Sequence, residues 1–287
     1  MVKSVLVLEK YTIVVSREMW MSVFGAFPEP QPPPPPVEKR RRVSMVFLVL
    51  LLIFVLVSAL IVVFPFVTGP AIEQMTSADW SGYSVASDLS FPQPKVTSVN
   101  GSWTVPAVNV SVGESYSAVW VGIGGQFDDT IIQVGTEQDS IKGQAVYSAW
   151  YELLPSDAVT IDSLTVSAGD KVTASVSLLD RAGNVWSVEI TDVTRSQSVR
   201  KSLVYASSML SAEWIVERPT LFNRLSALAD FGKVTFTDCG ATIGGKAGTI
   251  SSFPVTEIML ISRANVRLVS VSSLASGGSS FAVSYVG

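Results

Sequence analysis

The sequence predicts an all-β fold: a two-sheet antiparallel β-sandwich preceded by one transmembrane helix. Three observations carry this. From about residue 80 to the C-terminus, short runs of alternating apolar and polar residues recur between Gly, Ser and Asn turns. That region offers a single helical candidate, residues 221–228. Residues 43–67 contain no charge and exceed the roughly 20 apolar residues that cross a bilayer as a helix.

Taken in order, residues 1–27 mix apolar and charged positions without a clean period and predict no particular element. Residues 28–36 are proline-rich and predict a stiff polyproline II spacer. Lys39, Arg40, Arg41 and Arg42 then precede the uncharged run, so the basic flank places the tail of residues 1–42 in the cytoplasm. The run at 43–67 is read as a signal-anchor, because a cleaved signal usually has an apolar stretch of only about 7–15 residues. The globular part is then membrane-anchored and extracellular, or secreted if the chain is cut near residues 69–71. Residues 68–79 are expected to be a linker. Candidate strands follow at 118–123, 130–136, 145–153, 170–178, 185–192, 199–205, 212–217, 233–237, 266–271 and 281–286. Hairpin turns are expected at 181–184 and 275–279.

Composition removes several chemistries. The chain has no histidine, which excludes Ser-His-Asp triads, Cys-His dyads and His-ligated zinc. Acid–base work must fall to carboxyl groups. The one cysteine, Cys239, has no internal disulfide partner. Residues 73–287 carry 13 Lys/Arg against 20 Asp/Glu, a balance near -7, so no nucleic-acid partner is expected. The sequence Ser198-Val-Arg-Lys201 has the spacing of Ser/Lys enzymes, but that chemistry needs a helix and this run is β-patterned.

Strand parity sorts the remaining candidates. In 118–123, Val119, Val121 and Ile123 share one face and Trp120 and Gly122 the other. In 130–137, Ile132 and Val134 lie opposite Gln133, Gly135 and Glu137. In 148–153, Tyr151 and Leu153 lie opposite Ser148, Trp150 and Glu152. In 212–217, Trp214 and Val216 lie opposite Glu213, Ile215 and Glu217. The apolar faces predict the core. The other faces predict one surface holding Trp120, Gln133, Trp150, Glu152 and Glu217, with glycines that leave room for a ligand backbone. Glu137 reads as solvated or at a turn. This pattern admits a peptidase, a glycoside hydrolase using Glu152 and Glu217 as a carboxylate pair, or a non-catalytic lectin-like module. It does not choose between Glu213 and Glu217.

Several motifs occur together in one order: Trp80-Ser-Gly-Tyr83, Trp103-Thr-Val-Pro106, Trp120-Val-Gly-Ile-Gly-Gly125, Ile132-Gln-Val-Gly135, Ala149-Trp-Tyr-Glu-Leu-Leu-Pro155, Ala168-Gly-Asp170, Ala212-Glu-Trp-Ile-Val-Glu217 and Phe231-Gly-Lys-Val-Thr-Phe-Thr237. Over residues 80–287 the chain thus resembles the glutamic peptidases, or eqolisins. The resemblance implies a sandwich of concanavalin or jelly-roll type, an acid-active endopeptidase of peptides and unfolded proteins, and no metal or cofactor. It implies a catalytic dyad of Gln133 and Glu217, with Trp120, Glu152, Trp150 and Ser148 around the substrate. Two positions depart from the fungal pattern: Gly124 and Ser148 stand where those members carry Asp.

Overall fold

The structure is a computed structural model, and it describes residues 4–8, 11–15, 49–55, 72–87 and 93–287. The chain divides into two units, Met1–Leu60 and Ile61–Gly287. In the first, β1 (Ser4–Leu8) and β2 (Tyr11–Val15) pair as an antiparallel hairpin; their Val, Ile and Thr content suits a pleated ladder. Residues 49–55 are helical, with Val49 to Val55 exposed. Seven helical residues span about 10 Å, against about 30 Å of hydrocarbon. No helix among the described residues is long and apolar enough to cross a membrane. The expected spanning helix at 43–67 is therefore not seen, and its positions 43–48 and 56–67 lie outside the described residues. So do the proline-rich spacer, the basic cluster and residues 69–71.

The second unit is a sandwich of two large sheets. The site sheet runs β3 (Glu73–Ser77), β18 (Val255–Leu260), β4 (Trp80–Ala86), β13 (Ser211–Glu217), β6 (Ala118–Gly124), β7 (Ile131–Ile141), β8 (Gln144–Leu153), β9 (Val159–Thr160). The facing sheet runs β12 (Gln197–Val204), β11 (Val185–Asp192), β10 (Lys171–Asp180), β5 (Val96–Thr104), β16 (Lys233–Ile243), β20 (Phe281–Tyr285), β19 (Val269–Val271), with β17 (Lys246–Thr249) beside β16. Pairing is antiparallel except for one ladder: β3 adds to β18 in parallel. Five residues expected to be linker thus close the edge of the site sheet.

The core lies between the sheets, as strand parity predicts. Tyr83, Val121, Val134 and Trp214 of the site sheet meet Val99, Trp103, Trp186, Val234, Phe236 and Phe281 of the facing sheet. Burying side chains of this size is worth about 1.5–3 kcal/mol each, and the indole N–H groups are not left orphaned. Trp214 Nε1 donates to the Asn100 carbonyl at 2.8 Å, and Trp103 Nε1 to Thr136 Oγ1 at 3.1 Å. These bonds cross from sheet to sheet and fix how the site sheet sits on its partner.

The helical candidate at 221–228 is not a helix. It contains a small hairpin, β14 (Thr220–Leu221) with β15 (Arg224–Leu225). Phe222 and Asn223 both take positive φ, 48° and 61°, the pair of left-handed residues that a two-residue hairpin turn requires. The turn at 181–184 joins β10 to β11 as expected. The turn at 275–279 also lies in a hairpin as expected: it holds the 3-10 turn Ser276–Gly278, is closed by an antiparallel bridge between Ala275 and Ser280, and joins β19 to its antiparallel partner β20.

Candidate active site

The outer face of the site sheet is organised in rows set by backbone register. The first row runs Thr256, Ser84, Glu213, Gly122, Gln133, Glu152. The second runs Ile258, Gly82, Ile215, Trp120, Gly135, Trp150, Thr160. The third runs Trp80, Glu217, Ala118, Glu137, Ser148. All six side chains named from the motifs lie on this face. They do not share one row: Gln133 and Glu152 are in the first, Trp120 and Trp150 in the second, Glu217 and Ser148 in the third.

Side-chain hydrogen bonds join five of them, with Glu137, in pairs. Gln133 Nε2 donates to Glu152 Oε2 at 2.5 Å. Trp120 Nε1 donates to Glu217 Oε2 at 2.7 Å. Ser148 Oγ donates to Glu137 Oε2 at 3.1 Å. Gln133 and Glu217 lie in different rows, and Trp120 occupies the row between them. Trp120 Cζ3 lies 3.0 Å from the point where a Cβ on Gly122 would sit, while its Nε1 reaches Glu217 in the third row. Trp80 packs edge-on against Trp120, with ring centroids 5.1 Å apart and planes at 79°.

This face is less open than its residue pattern suggests. Trp120, Ile131, Trp150, Ile215, Ile258 and Ala118 form a second, smaller buried apolar cluster. The room left by the glycines is filled from within. A Cβ on Gly135 would come 2.2 Å from the Val119 carbonyl oxygen and 2.6 Å from Trp120 Cβ. The glycines thus seat Trp120 against the backbone, rather than reserving space for a ligand. Exposure on this face is concentrated at Trp80, Glu217, Glu137, Ser148 and Glu152, which are half-buried, and at Thr160, which is exposed. Glu137, read from the sequence as solvated or at a turn, is in fact a member of the site. Its i+4 spacing from Gln133 on one strand was the available signal.

Electrostatics follow from this enclosure. Burial pushes the Glu217 carboxyl up to about 8, against the Trp120 hydrogen bond that favours its charged form; Asp79, Glu152 and Glu137 add repulsion. Burial likewise raises Glu152, opposed by the Gln133 hydrogen bond and reinforced by Asp157 and Glu137. Glu137 is raised by burial against its Ser148 bond. Glu213 is wholly buried, both carboxyl oxygens lack a partner, and burial pushes its carboxyl far above the usual range. Gln133 is 3 % exposed and its Oε1 is also unpartnered. The result is a set of carboxyl groups that each release their protons at higher pH than a free glutamate, beside an amide with unused hydrogen-bonding capacity. Among the described residues, no cluster of three metal-ligating side chains forms.

The two departures from the fungal pattern have local explanations. Gly124 has φ 95°, and a Cβ there would lie 2.2 Å from the Thr130 carbonyl oxygen, so this backbone does not admit Asp. At the other position, Ser148 and Glu137 form a hydroxyl–carboxyl pair in which only one partner titrates.

Comparison with known proteins decides the family. Residues 78–285 match the model of the Peptidase A4 family. The chain belongs to the Peptidase A4 family. It is a glutamic endopeptidase, a hydrolase of peptide bonds. Aspergillopepsin-2 of Aspergillus niger is 32 % identical over 208 residues, covering 63 % of this chain and 70 % of that protein. Scytalidopepsin B of Scytalidium lignicola is 28 % identical over 236 residues, covering 77 % and 83 %. The crystal structure of aspergilloglutamic peptidase from Aspergillus niger superposes with a TM-score of 0.54 at 33 % identity, covering 60 % of this chain and 99 % of that one. Scytalido-glutamic peptidase bound to a transition-state analogue inhibitor superposes at 0.62 and 23 % identity, covering 73 % and 99 %, a likeness of fold. The A4 sandwich therefore accounts for the second unit of this chain.

Proposed function

We propose that this A4 peptidase cleaves peptides and unfolded proteins in acid with Glu217 as general acid and base and Gln133 as oxyanion stabiliser. The observation that carries the reading is the Glu217 carboxyl, held by Trp120 Nε1 on one oxygen and pushed up to about 8 by burial. In the acid range it is protonated, so it starts as an acid. Its proton passes to the scissile carbonyl oxygen as water attacks the carbon. The carboxylate so formed takes a proton from that water, then delivers it to the amide nitrogen, and the C–N bond breaks. As the C–N bond breaks, a hydroxyl of the collapsing gem-diol returns its proton to Glu217, which regains its starting state and leaves a carboxylic acid and an amine. Gln133 Nε2 has two N–H donors, one engaged by Glu152, and the second is free for the developing oxyanion. Trp150 and Ser148 flank the substrate's path, and Ser148 orients Glu137.

The direct test is cleavage of a denatured protein substrate between about pH 3 and 6 by Glu217→Gln and Gln133→Ala, with folding followed by melting temperature. Loss of one oxyanion donor costs about 100- to 1000-fold in rate, and loss of Glu217 should cost more. Near wild-type cleavage by either folded variant overturns the assignment. The uncharged run at 43–67 behind four basic residues further supports a domain displayed outside the membrane, with residues 1–42 cytoplasmic. Protection of the tail, but not of the peptidase domain, from protease added to intact cells tests that orientation.

A further inference from the structure

One residue past Glu217, the surface changes sign. Arg218, Arg224 on β15 and Arg263 in the loop after β18 line a cavity of about 440 Å³ together with Leu225. Among the described residues, ion pairs within 4.0 Å involve Arg195 and Arg200 alone, so none of these three arginines is neutralised by a contacting acid. Arg218 is half-buried. One of its terminal nitrogens donates to the Ala78 carbonyl at 2.5 Å, but its Nε–H is buried and has no partner. Asp79 is close enough to favour its charge and Arg263 close enough to oppose it. Three guanidinium groups from three separate segments thus converge in a domain whose balance is near -7. Clustered like charges and a dry, unused donor are costly in the free protein, and an anion relieves both. Guanidinium presents its donors as a planar fork that matches carboxylate and phosphate oxygens.

We propose that this cavity is an anion subsite of the peptidase, taking a carboxylate or phosphate carried by the substrate on the side of the scissile bond that lies beyond Glu217. The assignment rests on the reading of Glu217 as catalytic. The cavity is wide enough for an Asp or Glu side chain, a phosphorylated serine or a chain-terminal carboxylate. A carboxylic acid of the substrate loses its charge below about pH 4, whereas a phosphate monoester keeps one, so the two sources separate by pH.

The test uses the whole chain and matched peptides that differ by Gln or Glu, or by Ser or phosphoserine, on each side of the cleaved bond, with free or amidated C-termini. At about pH 5 the acidic peptide of one side should be cleaved with a kcat/KM about 10-fold or more above its neutral twin, as a charge-assisted bond allows. In the double variant Arg224→Gln, Arg263→Gln that ratio should fall to about one. An advantage confined to peptides with a free C-terminus identifies the terminal carboxylate as the anion. No advantage on either side, or an advantage that survives in the double variant, overturns the proposal. A second measurement needs no turnover: inorganic phosphate, compared with chloride at equal ionic strength, should raise the melting temperature of the wild type and not of the double variant. Equal effects on both proteins overturn the subsite. Failure to cleave any peptide, with the phosphate effect intact, overturns the peptidase reading and leaves the anion site standing.

Discussion

Replacing Trp120 by Phe isolates the contact on which the acid–base reading depends. The substitution keeps an aromatic ring beside Trp80 but deletes the Nε1–H that meets Glu217 Oε2 at 2.7 Å. That bond favours the charged carboxylate, against burial and the repulsion of Asp79, Glu152 and Glu137. A hydrogen bond to a charged group is worth about 1.5–3 kcal/mol, and one pH unit corresponds to about 1.4 kcal/mol. Removing it therefore leaves Glu217 protonated to higher pH, by about one to two pH units. If Glu217 must start protonated, kcat/KM falls as it loses its proton, and the alkaline limb of the pH profile marks that event. In Trp120→Phe this limb should move up by about one to two units, measured with a fluorogenic peptide from about pH 3 to 10. A limb that stays in place, or moves down, refutes the acid-first order.

Other expected outcomes follow from the same geometry. Glu213→Gln should fold and retain most activity, because a neutral side chain replaces a carboxyl that burial keeps neutral. Glu213→Lys should lose at least about 3 kcal/mol of stability in urea unfolding, since it places an unpaired charge there. Asp139 is 6 % exposed, and its carboxyl is pushed up to about 7 by burial and by Glu137, against a bond from the Ser117 amide. The folded state then holds a proton that the unfolded chain has released. Its contribution is full below about pH 4 and is lost as pH rises toward 7, so stability should fall by up to about 4 kcal/mol over that window. Asp139→Asn should remove this part of the slope in urea unfolding at pH 4 and 8. Gly135→Ala should lower the melting temperature sharply, because its Cβ would press into the Val119 carbonyl and Trp120. Cys239 is 1 % exposed and burial pushes its thiol up, so thiol reagents should leave activity unchanged on the native protein.

How much of this was legible in the sequence depends on the physical range of each signal. A strand alternates its side chains whatever it pairs with, so Trp120, Gln133, Trp150, Glu152 and Glu217 could be assigned to one face from parity alone. Rows are a different matter, because register is set by ladders between segments far apart in sequence. Nothing local indicates that Gln133 shares a row with Glu213 while Glu217 lies two rows away, nor that the Trp120 indole N–H meets Glu217. The strand Trp80–Ala86 leaves no alternating signal, because it sits mid-sheet with Ser81 to Val85 all buried. The edge strand Glu73–Ser77 carries no apolar alternation, because it is mostly polar and exposed and joins the sheet through its backbone ladder to β18. The spacing of Leu221, Leu225 and Leu228 mimics a helical stripe, but the turn at Phe222 and Asn223 overrides it.

The raised carboxyl groups of the site have a calorimetric consequence in a chain without imidazole. Between about pH 6 and 8, where histidine would dominate the proton uptake of an ordinary protein, the titrating side chains here include Asp139 and Glu217, at about 7 and about 8. Melting the sandwich at neutral pH exposes these carboxyls to water, and their protons pass to the solution. The heat absorbed on unfolding will then depend on the ionisation enthalpy of the buffer. Comparing phosphate with Tris at one pH would count the protons that the folded domain stores.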